Sequence, residues 1–323
     1  MSPSAATWRP TRALVTGVGG QDGGYLAERL VAAGVEVHGL QPPGEPAPPW
    51  CPSAVVLHAG DLTEHATTDR LVRDLAPDLV VNLAGQSSVA RSWAEPEPTW
   101  AVNAAAAEAL VSSVAALPGS PRFVQASSAE IFGRPDRCPQ DESTPLRPVS
   151  PYGRAKAHAH LAVGRARAEG LHASSMILYN HESPRRPPSF VTRKISQGVA
   201  AIAAGRADRL VLGTLDARRD WGWAPDYVDA MLRAAHADSP ADYVVATGRS
   251  HSVREFVAAA FARAGIGDWA PLVTVDPSLA RPVDPVDSCG DASRARDLLG
   301  WAPTVGFPEL VHRMVDADLA ALS

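Results

Sequence analysis

From Arg12 onward, short apolar runs alternate with longer stretches of helical spacing. Ala13-Leu14-Val15-Thr16 precedes a helical pattern from Tyr25 to Ala33. Val35-Glu36-Val37-His38 and Ala54 to Leu57 precede another from Thr63 to Leu75, and Asp78 to Leu83 precedes a third from Asn103 to Ala116. Strands that are apolar throughout, separated by helices of this length, predict a parallel sheet covered on both faces. The rhythm persists through Phe123-Val124-Gln125-Ala126 and His172 to Tyr179. The expected fold class is α/β: a doubly wound parallel sheet of Rossmann type with a smaller, partly interleaved substrate-binding lobe.

After about residue 180 the rhythm loosens. Pro184, Pro187 and Pro188 break the chain before a helical stretch from Val191 to Ala204. Residues 11–180 are expected to form a dinucleotide-binding domain and 181–323 mainly the substrate lobe. A segment near 208–250, including the apolar run Asp242 to Ala246, is expected to return to the first domain. Pro42 to Pro52 (PPGEPAPPWCP) is too rich in proline for helix or strand and reads as an exposed loop.

The first strand runs into Gly17-Val18-Gly19-Gly20-Gln21-Asp22-Gly23 and then a helix. Of the spaced glycines, Gly17 permits the tight turn, Gly20 lets a phosphate approach the backbone, and Gly23 lets the helix pack on the strand. A pyrophosphate then lies at the positive helix N-terminus. The end of the second strand, Gly39-Leu40-Gln41-Pro42, carries neither an acid for a ribose hydroxyl nor a base for a 2′-phosphate. Asp61, after the third strand, could face the adenine or serve as a solvated turn residue.

Ser150-Pro151-Tyr152-Gly153-Arg154-Ala155-Lys156 places a proline at a helix start and then Tyr and Lys four apart on one face. Tyr titrates at about 10 and needs an adjacent ammonium to act as a base at neutral pH. Lys156 supplies that charge. The strand Phe123 to Ala126 ends in Ser127-Ser128-Ala129-Glu130, at the edge where doubly wound sheets keep their sites. Ser128 could hydrogen-bond a substrate hydroxyl, and Glu130 could move a second proton.

Composition narrows the partners. With 46% hydrophobic residues, 20% charged residues and a net charge of −5, the chain shows no broad basic field for nucleic acid. No apolar run reaches the roughly 20 residues that span a bilayer, and Met1 to Pro10 lack the pattern of a secretory signal, so a cytoplasmic location is expected. Cys51, Cys138 and Cys289 have no metal-binding or redox spacing, and no metal site is expected. Lys156 and Lys194 are the only lysines among 30 basic Lys and Arg residues. Arg serves wherever a solvated charge suffices, so these two positions are candidates for sites that need a compact ammonium.

Thr16 to Gly23, Asn82 to Ser87, Gln125 to Glu130, Asn180-His181-Glu182-Ser183-Pro184-Arg185-Arg186, Phe190 to Lys194, Arg219-Asp220-Trp221-Gly222 and Arg281-Pro282 together resemble one family. It is the extended short-chain dehydrogenases, and within them the GDP-mannose 4,6-dehydratases. The resemblance spans nearly the whole chain. It implies that Ser128, Glu130, Tyr152 and Lys156 are catalytic. It also implies that Gly17, Gly20, Gln21, Asp22, Gly23, Asp61, Leu62, Leu83, Ala84, Ser87, His181 and Arg186 touch the cofactor together with Tyr152 and Lys156. Ser88, Asn180, Val191, Lys194, Arg219 and Arg281 would line a GDP-hexose.

The implied reaction oxidises C4, removes water across C5 and C6, and returns the hydride to C6. Tyr152 would take the O4 proton and Glu130 the C5 proton, with Ser128 assisting. The cofactor would be NADP, with NAD the alternative, because the segment from Leu40 to Pro52 lacks the arginines with which the family reads a 2′-phosphate. A homodimer is the expected assembly. A 4-keto-sugar reductase or epimerase would share the glycines and the Tyr/Lys pair, but a simple reductase would not need Glu130. A non-catalytic nucleotide-sugar sensor would need none of the four reactive side chains.

Overall fold

The computed structural model describes residues 8–279 and 287–322. Arg281, expected at the nucleotide-sugar, lies outside the described residues. Seven parallel strands form the main sheet: β1 (Arg12–Thr16), β2 (Glu36–Gln41), β3 (Val56–Ala59), β4 (Leu79–Asn82), β5 (Arg122–Ala126), β6 (His172–Leu178) and β10 (Asp242–Val245), in the order β10-β6-β5-β4-β1-β2-β3. The chain runs outward from β1 to β3, then returns to β4 on the other side of β1. That reversal makes a topological switch point, and its carboxyl edge is where such sheets bind ligands.

The strands form because their apolar residues alternate between two cores. Ala13, Val15, Leu79, Val81 and Val124 pack on one face, with α1 (Gln21–Ala32) and α8 (Ala224–His236). Leu14, Val80 and Phe123 pack on the other, with α2 (His65–Leu75), α5 (Ala106–Ala115) and α6 (Pro151–Ala168). Burying each large side chain stabilises the fold by about 1.5–3 kcal/mol relative to leaving it in water. The expected α/β sheet is therefore present, with helices on both faces.

The second lobe is built on shorter strands. β7 (Asn180–Glu182), β9 (Arg218–Trp223) and β11 (Ser250–Ser252) form a three-stranded sheet in the order β11-β9-β7, and β8 (Leu210–Leu212) pairs with β12 (Val273–Val275). Its core joins Ile195 and Val199 of α7 (Val191–Ala203), Trp221, Phe256 of α9 (Val253–Arg263) and Met314 of α11 (Phe307–Ala320). Between these pieces α8 and β10 lie in the main sheet layer, and α10 (Ser293–Leu299) packs against both. No helix among the described residues is long and apolar enough to cross a membrane.

Two local features depart from the sequence pattern. The helical stretch expected from Asn103 opens with a π turn, Ala101–Ala105, between α4 (Pro96–Trp100) and α5. The Pro42 to Pro52 loop is not uniformly exposed. Trp50 lies so close over α1 that a Cβ on Gly24 would come within 2.4 Å of its ring, and the Arg185 guanidinium stacks 3.9 Å from the Tyr25 ring beside it.

Candidate active site

A cavity of about 400 Å³ opens at the carboxyl edge of the main sheet, between it and the second lobe. The first domain lines it with Asp22, Leu83, Ser87, Ser88, Ser128, Glu130, Tyr152 and Lys156, the second lobe with Asn180, His181, Arg186, Val191, Lys194 and Arg219. Gly17, Gly20, Gln21, Gly23, Asp61, Leu62 and Ala84 do not line it.

Several of these build the glycine turn at its edge. Gly17 adopts φ 68°, and a Cβ there would stand 2.8 Å from Ala84 N. A Cβ on Gly23 would stand 2.3 Å from the Gly17 carbonyl oxygen. Gly20 precedes α1 with no side-chain cap, leaving the helix N-terminus open to an anion. Gln21 spans the two lobes: its Nε2 donates to His181 O at 3.1 Å, and its Oε1 accepts from Ser183 Oγ at 2.8 Å. Leu62 is buried in the core beside Leu40 and Val72. Asp61 is exposed and accepts from both Thr63 N and Thr63 Oγ1 at 2.8 Å. The backbone hydrogen bond comes first in holding its carboxyl below the usual range. Ser88 caps α3 (Val89–Ala94), accepting from Arg91 N at 3.2 Å.

The reactive group is assembled by two caps. Ser150 accepts from Gly153 N at 3.0 Å, and Pro151 opens α6, which sets Tyr152 and Lys156 one turn apart. Ser128, in extended conformation, caps a single 3-10 turn (Ala129–Ile131) by accepting from Glu130 N at 3.2 Å. The two pieces touch where only glycine fits, since a Cβ on Gly153 would lie 2.6 Å from the Glu130 carbonyl oxygen. The Ser128 hydroxyl acts on the Tyr152 phenol, favouring its ionised form.

Burial pushes the Tyr152 phenol up to about 12, opposed by the Ser128 hydrogen bond and reinforced by the Glu130 charge. Burial pushes the Lys156 ammonium down to about 8. Lys156 Nζ lies 5.9 Å from the Tyr152 ring centroid and donates to the Ala126 carbonyl at 3.0 Å. The side chains share a helical face, but the ammonium is anchored on the sheet, and burial favours the neutral phenol.

A second charged group lies at the junction with the turn. His181 Nε2 is 2.8 Å from Asp22 Oδ2 and Nδ1 is 2.7 Å from Tyr179 O. Burial opposes ionisation of both partners, but their mutual attraction holds the Asp22 carboxyl below and the His181 imidazole above its ordinary value. Arg186 stacks 3.6 Å from the Phe190 ring. Its Nε lies 3.2 Å from Glu182 Oε2 without hydrogen-bond geometry and, like the buried Ser127 Oγ, has no hydrogen-bond partner.

Sequence reasoning missed several cavity residues. Glu182, buried and accepting from Thr192 Oγ1 at 2.7 Å, stood inside an already noticed run. Gln140 and Ser288 carried no motif. They arrive through a bridge between Gln140 and Gly290 and a hydrogen bond from Gln140 N to Cys289 O at 2.9 Å, contacts between segments far apart in sequence.

A doubly wound parallel sheet with glycines at its first βα turn and a Tyr-x-x-x-Lys helix at the switch-point cavity defines an extended short-chain dehydrogenase architecture. Within that class the chain belongs to the GDP-mannose 4,6 dehydratase family, whose model matches residues 14–314. It is 42% identical over 324 residues to GDP-mannose 4,6 dehydratase 1 of Arabidopsis thaliana, covering 95% of this chain and 89% of that protein. The UDP-glucose 4-epimerase of Thermus thermophilus, solved in complex with NAD, is similar with TM-score 0.85 and 28% identity, over 96% of this chain and 99% of that one. RMD from Pseudomonas aeruginosa, solved with NADPH, is similar with TM-score 0.80 and 25% identity, over 96% and 99% of the two chains.

Proposed function

We propose that the protein is a nucleotide-sugar 4,6-dehydratase that converts GDP-mannose or a related GDP-hexose to the GDP-4-keto-6-deoxy sugar. The observation that carries this reading is the presence of Glu130 in the same cavity as Ser128, Tyr152 and Lys156, beside family membership. A simple reductase has no use for a carboxylate that handles a carbon-bound proton.

The residues present fit a nicotinamide dinucleotide. The glycine turn admits a pyrophosphate where side chains would clash, and buried Ser127 Oγ and Arg186 Nε lack partners beside the cavity. Gly17 to Gly23, Asp22, Leu83, Ser87, His181 and Arg186 would hold it, and when bound it would supply a hydride acceptor and donor. NADP is taken from the family pattern, with no Arg or Lys between Gln41 and Pro52 to hold its 2′-phosphate.

Tyr152, as the phenolate, takes the O4 proton as C4 loses its hydride and becomes a ketone. The Ser128 hydroxyl and the Lys156 ammonium, 5.9 Å from the ring centroid, lower the cost of the buried phenolate. The ketone acidifies C5–H, and Glu130 removes that proton. With Ser128 assisting, Glu130 gives a proton to the C6 hydroxyl, which leaves as water. C6 then receives the hydride taken from C4, and C5 takes up a proton, so the net change is loss of one water. The second-lobe residues Asn180, Val191, Lys194 and Arg219 would hold the nucleotide and diphosphate.

We read the assembly as a homodimer, supported by Trp93, Trp100 and Leu161, which expose apolar surface on the neighbouring helices α3, α4 and α6.

The test is incubation with GDP-mannose and catalytic NADP, then NAD, in deuterated water, followed by mass analysis. Loss of water with one carbon-bound solvent deuteron and no net cofactor reduction is expected. Unchanged GDP-mannose with both cofactors, together with reduction of a GDP-4-keto sugar by NADPH, would overturn the reading in favour of a reductase.

A further inference from the structure

Two runs singled out in the sequence, Asn82 to Ser87 and Gln125 to Glu130, each open with a buried amide that the proposed chemistry does not use. Thr16, Asn82 and Gln125 lie near the carboxyl ends of β1, β4 and β5 in direct register and are 0%, 1% and 1% exposed. Thr16 Oγ1 donates to Asn82 Oδ1 at 2.6 Å, Asn82 Nδ2 to Gln125 Oε1 at 2.9 Å, and Gln125 Nε2 to the Ala126 carbonyl oxygen at 2.9 Å. That same oxygen accepts from Lys156 Nζ at 3.0 Å.

The polarity of this row is set from the glycine-turn end. Leu83 N and Ala84 N both donate to Thr16 Oγ1, at 3.2 and 3.1 Å, so the single hydroxyl hydrogen goes to Asn82. Asn82 must then present its oxygen to Thr16 and its NH2 to Gln125, and Gln125 must follow suit. Reversing either amide would set like groups face to face in the sheet interior and leave each without a partner. A buried network in which every side-chain polar atom has a partner specifies one geometry. What it specifies here is the carbonyl on which Lys156 is anchored.

We propose that Gln125, oriented by Asn82 and Thr16, is a positioning residue that fixes where the Lys156 ammonium sits. The chemical importance of Lys156 rests on the dehydratase reading; the hydrogen-bond row does not. With the row broken, the carbonyl is no longer held, the ammonium loses its buried acceptor, and burial disfavours the charge further.

The chain's two lysines make this directly readable. Protein labelled with carbon-13 at lysine Cε gives two lysine signals, assigned with Lys194→Arg. In the wild type the Lys156 signal is expected to titrate at about 8. Gln125→Leu and Thr16→Val are each expected to lower that midpoint, by about one pH unit for Gln125→Leu, and to reduce kcat about tenfold with KM for GDP-mannose little changed. Thr16→Ser, which keeps the hydroxyl, retains the wild-type values. A Lys156 midpoint that stays or rises in folded Thr16→Val overturns the proposal, whatever happens to stability. If Gln125→Leu does not fold, the isosteric Thr16→Val carries the test. Absence of dehydratase turnover in the wild type would overturn the proposed function while leaving the titration to decide the positioning role.

Discussion

His181 faces an acceptor from both ring nitrogens, the Tyr179 carbonyl at 2.7 Å and the Asp22 carboxylate at 2.8 Å, so it must donate from both and carry a positive charge. Asp22 belongs to the glycine turn and His181 to β7, so this ion pair bolts the glycine turn to the second lobe. Tyr227 backs the imidazole with its ring at 4.6 Å.

Breaking that pair leaves a buried charge without its partner. His181→Gln is expected to lower the unfolding free energy by about 3–5 kcal/mol, measured by urea denaturation with an unchanged m-value. A double-mutant cycle with Asp22→Asn should return most of that loss as coupling energy.

The pH dependence follows from the two directions. Because His181 is raised above its ordinary value, the stabilisation from its charge is complete below the unfolded value of about 6.5 and fades as pH rises through the folded value. Because Asp22 is lowered, its contribution is complete above about 3.9 and fades as pH falls through its folded value. The stability gap between wild type and His181→Gln should therefore be widest between about pH 4 and 6.5 and narrow on either side.

Removing single reactive groups should separate the half-reactions. Tyr152→Phe is expected to reduce kcat by about 10²–10⁴-fold while nucleotide-sugar binding, measured by calorimetry, stays near wild type. Glu130→Gln should retain oxidation at C4 but not exchange at C5. Reduced cofactor would then build up in stopped-flow absorbance without water loss.

Gly153→Ala tests the close approach of α6 to the Glu130 turn. With 2.6 Å available between a Cβ and the Glu130 carbonyl, the turn must move away from Tyr152. An overpacking cost of about 1–3 kcal/mol is expected, together with a fall in kcat larger than the fall in melting temperature alone would explain.

Much of the architecture was legible because it is carried by local pattern. Short, valine-rich apolar runs such as Leu79 to Val81, set between helical stretches, read as strands buried on both faces, and the Tyr152 and Lys156 spacing needs only a helix. Other features depend on encounters between distant segments. The π turn at Ala101–Ala105 lies in an alanine-rich stretch with no local breaker to announce it. Strands of three residues, such as β7 and β11, carry too little pattern to be read, and they exist only through their pairing with β9. The sequence placed the Lys156 charge beside the phenol. The register of β5 instead brings the Ala126 carbonyl to it, and nothing in the spacing of α6 encodes that carbonyl.

The position of β10 bears on how the chain is made. β6 ends at Leu178 and its outer neighbour begins at Asp242, so β6 is complete well before the strand that covers it has been synthesised. Until then a buried, apolar strand offers a row of unpaired backbone groups at the sheet edge, the kind of edge that recruits other chains. A nascent or truncated chain ending before β10 therefore presents a sticky intermediate, and the second lobe, threaded between β6 and β10, must emerge before the first domain can close its own sheet.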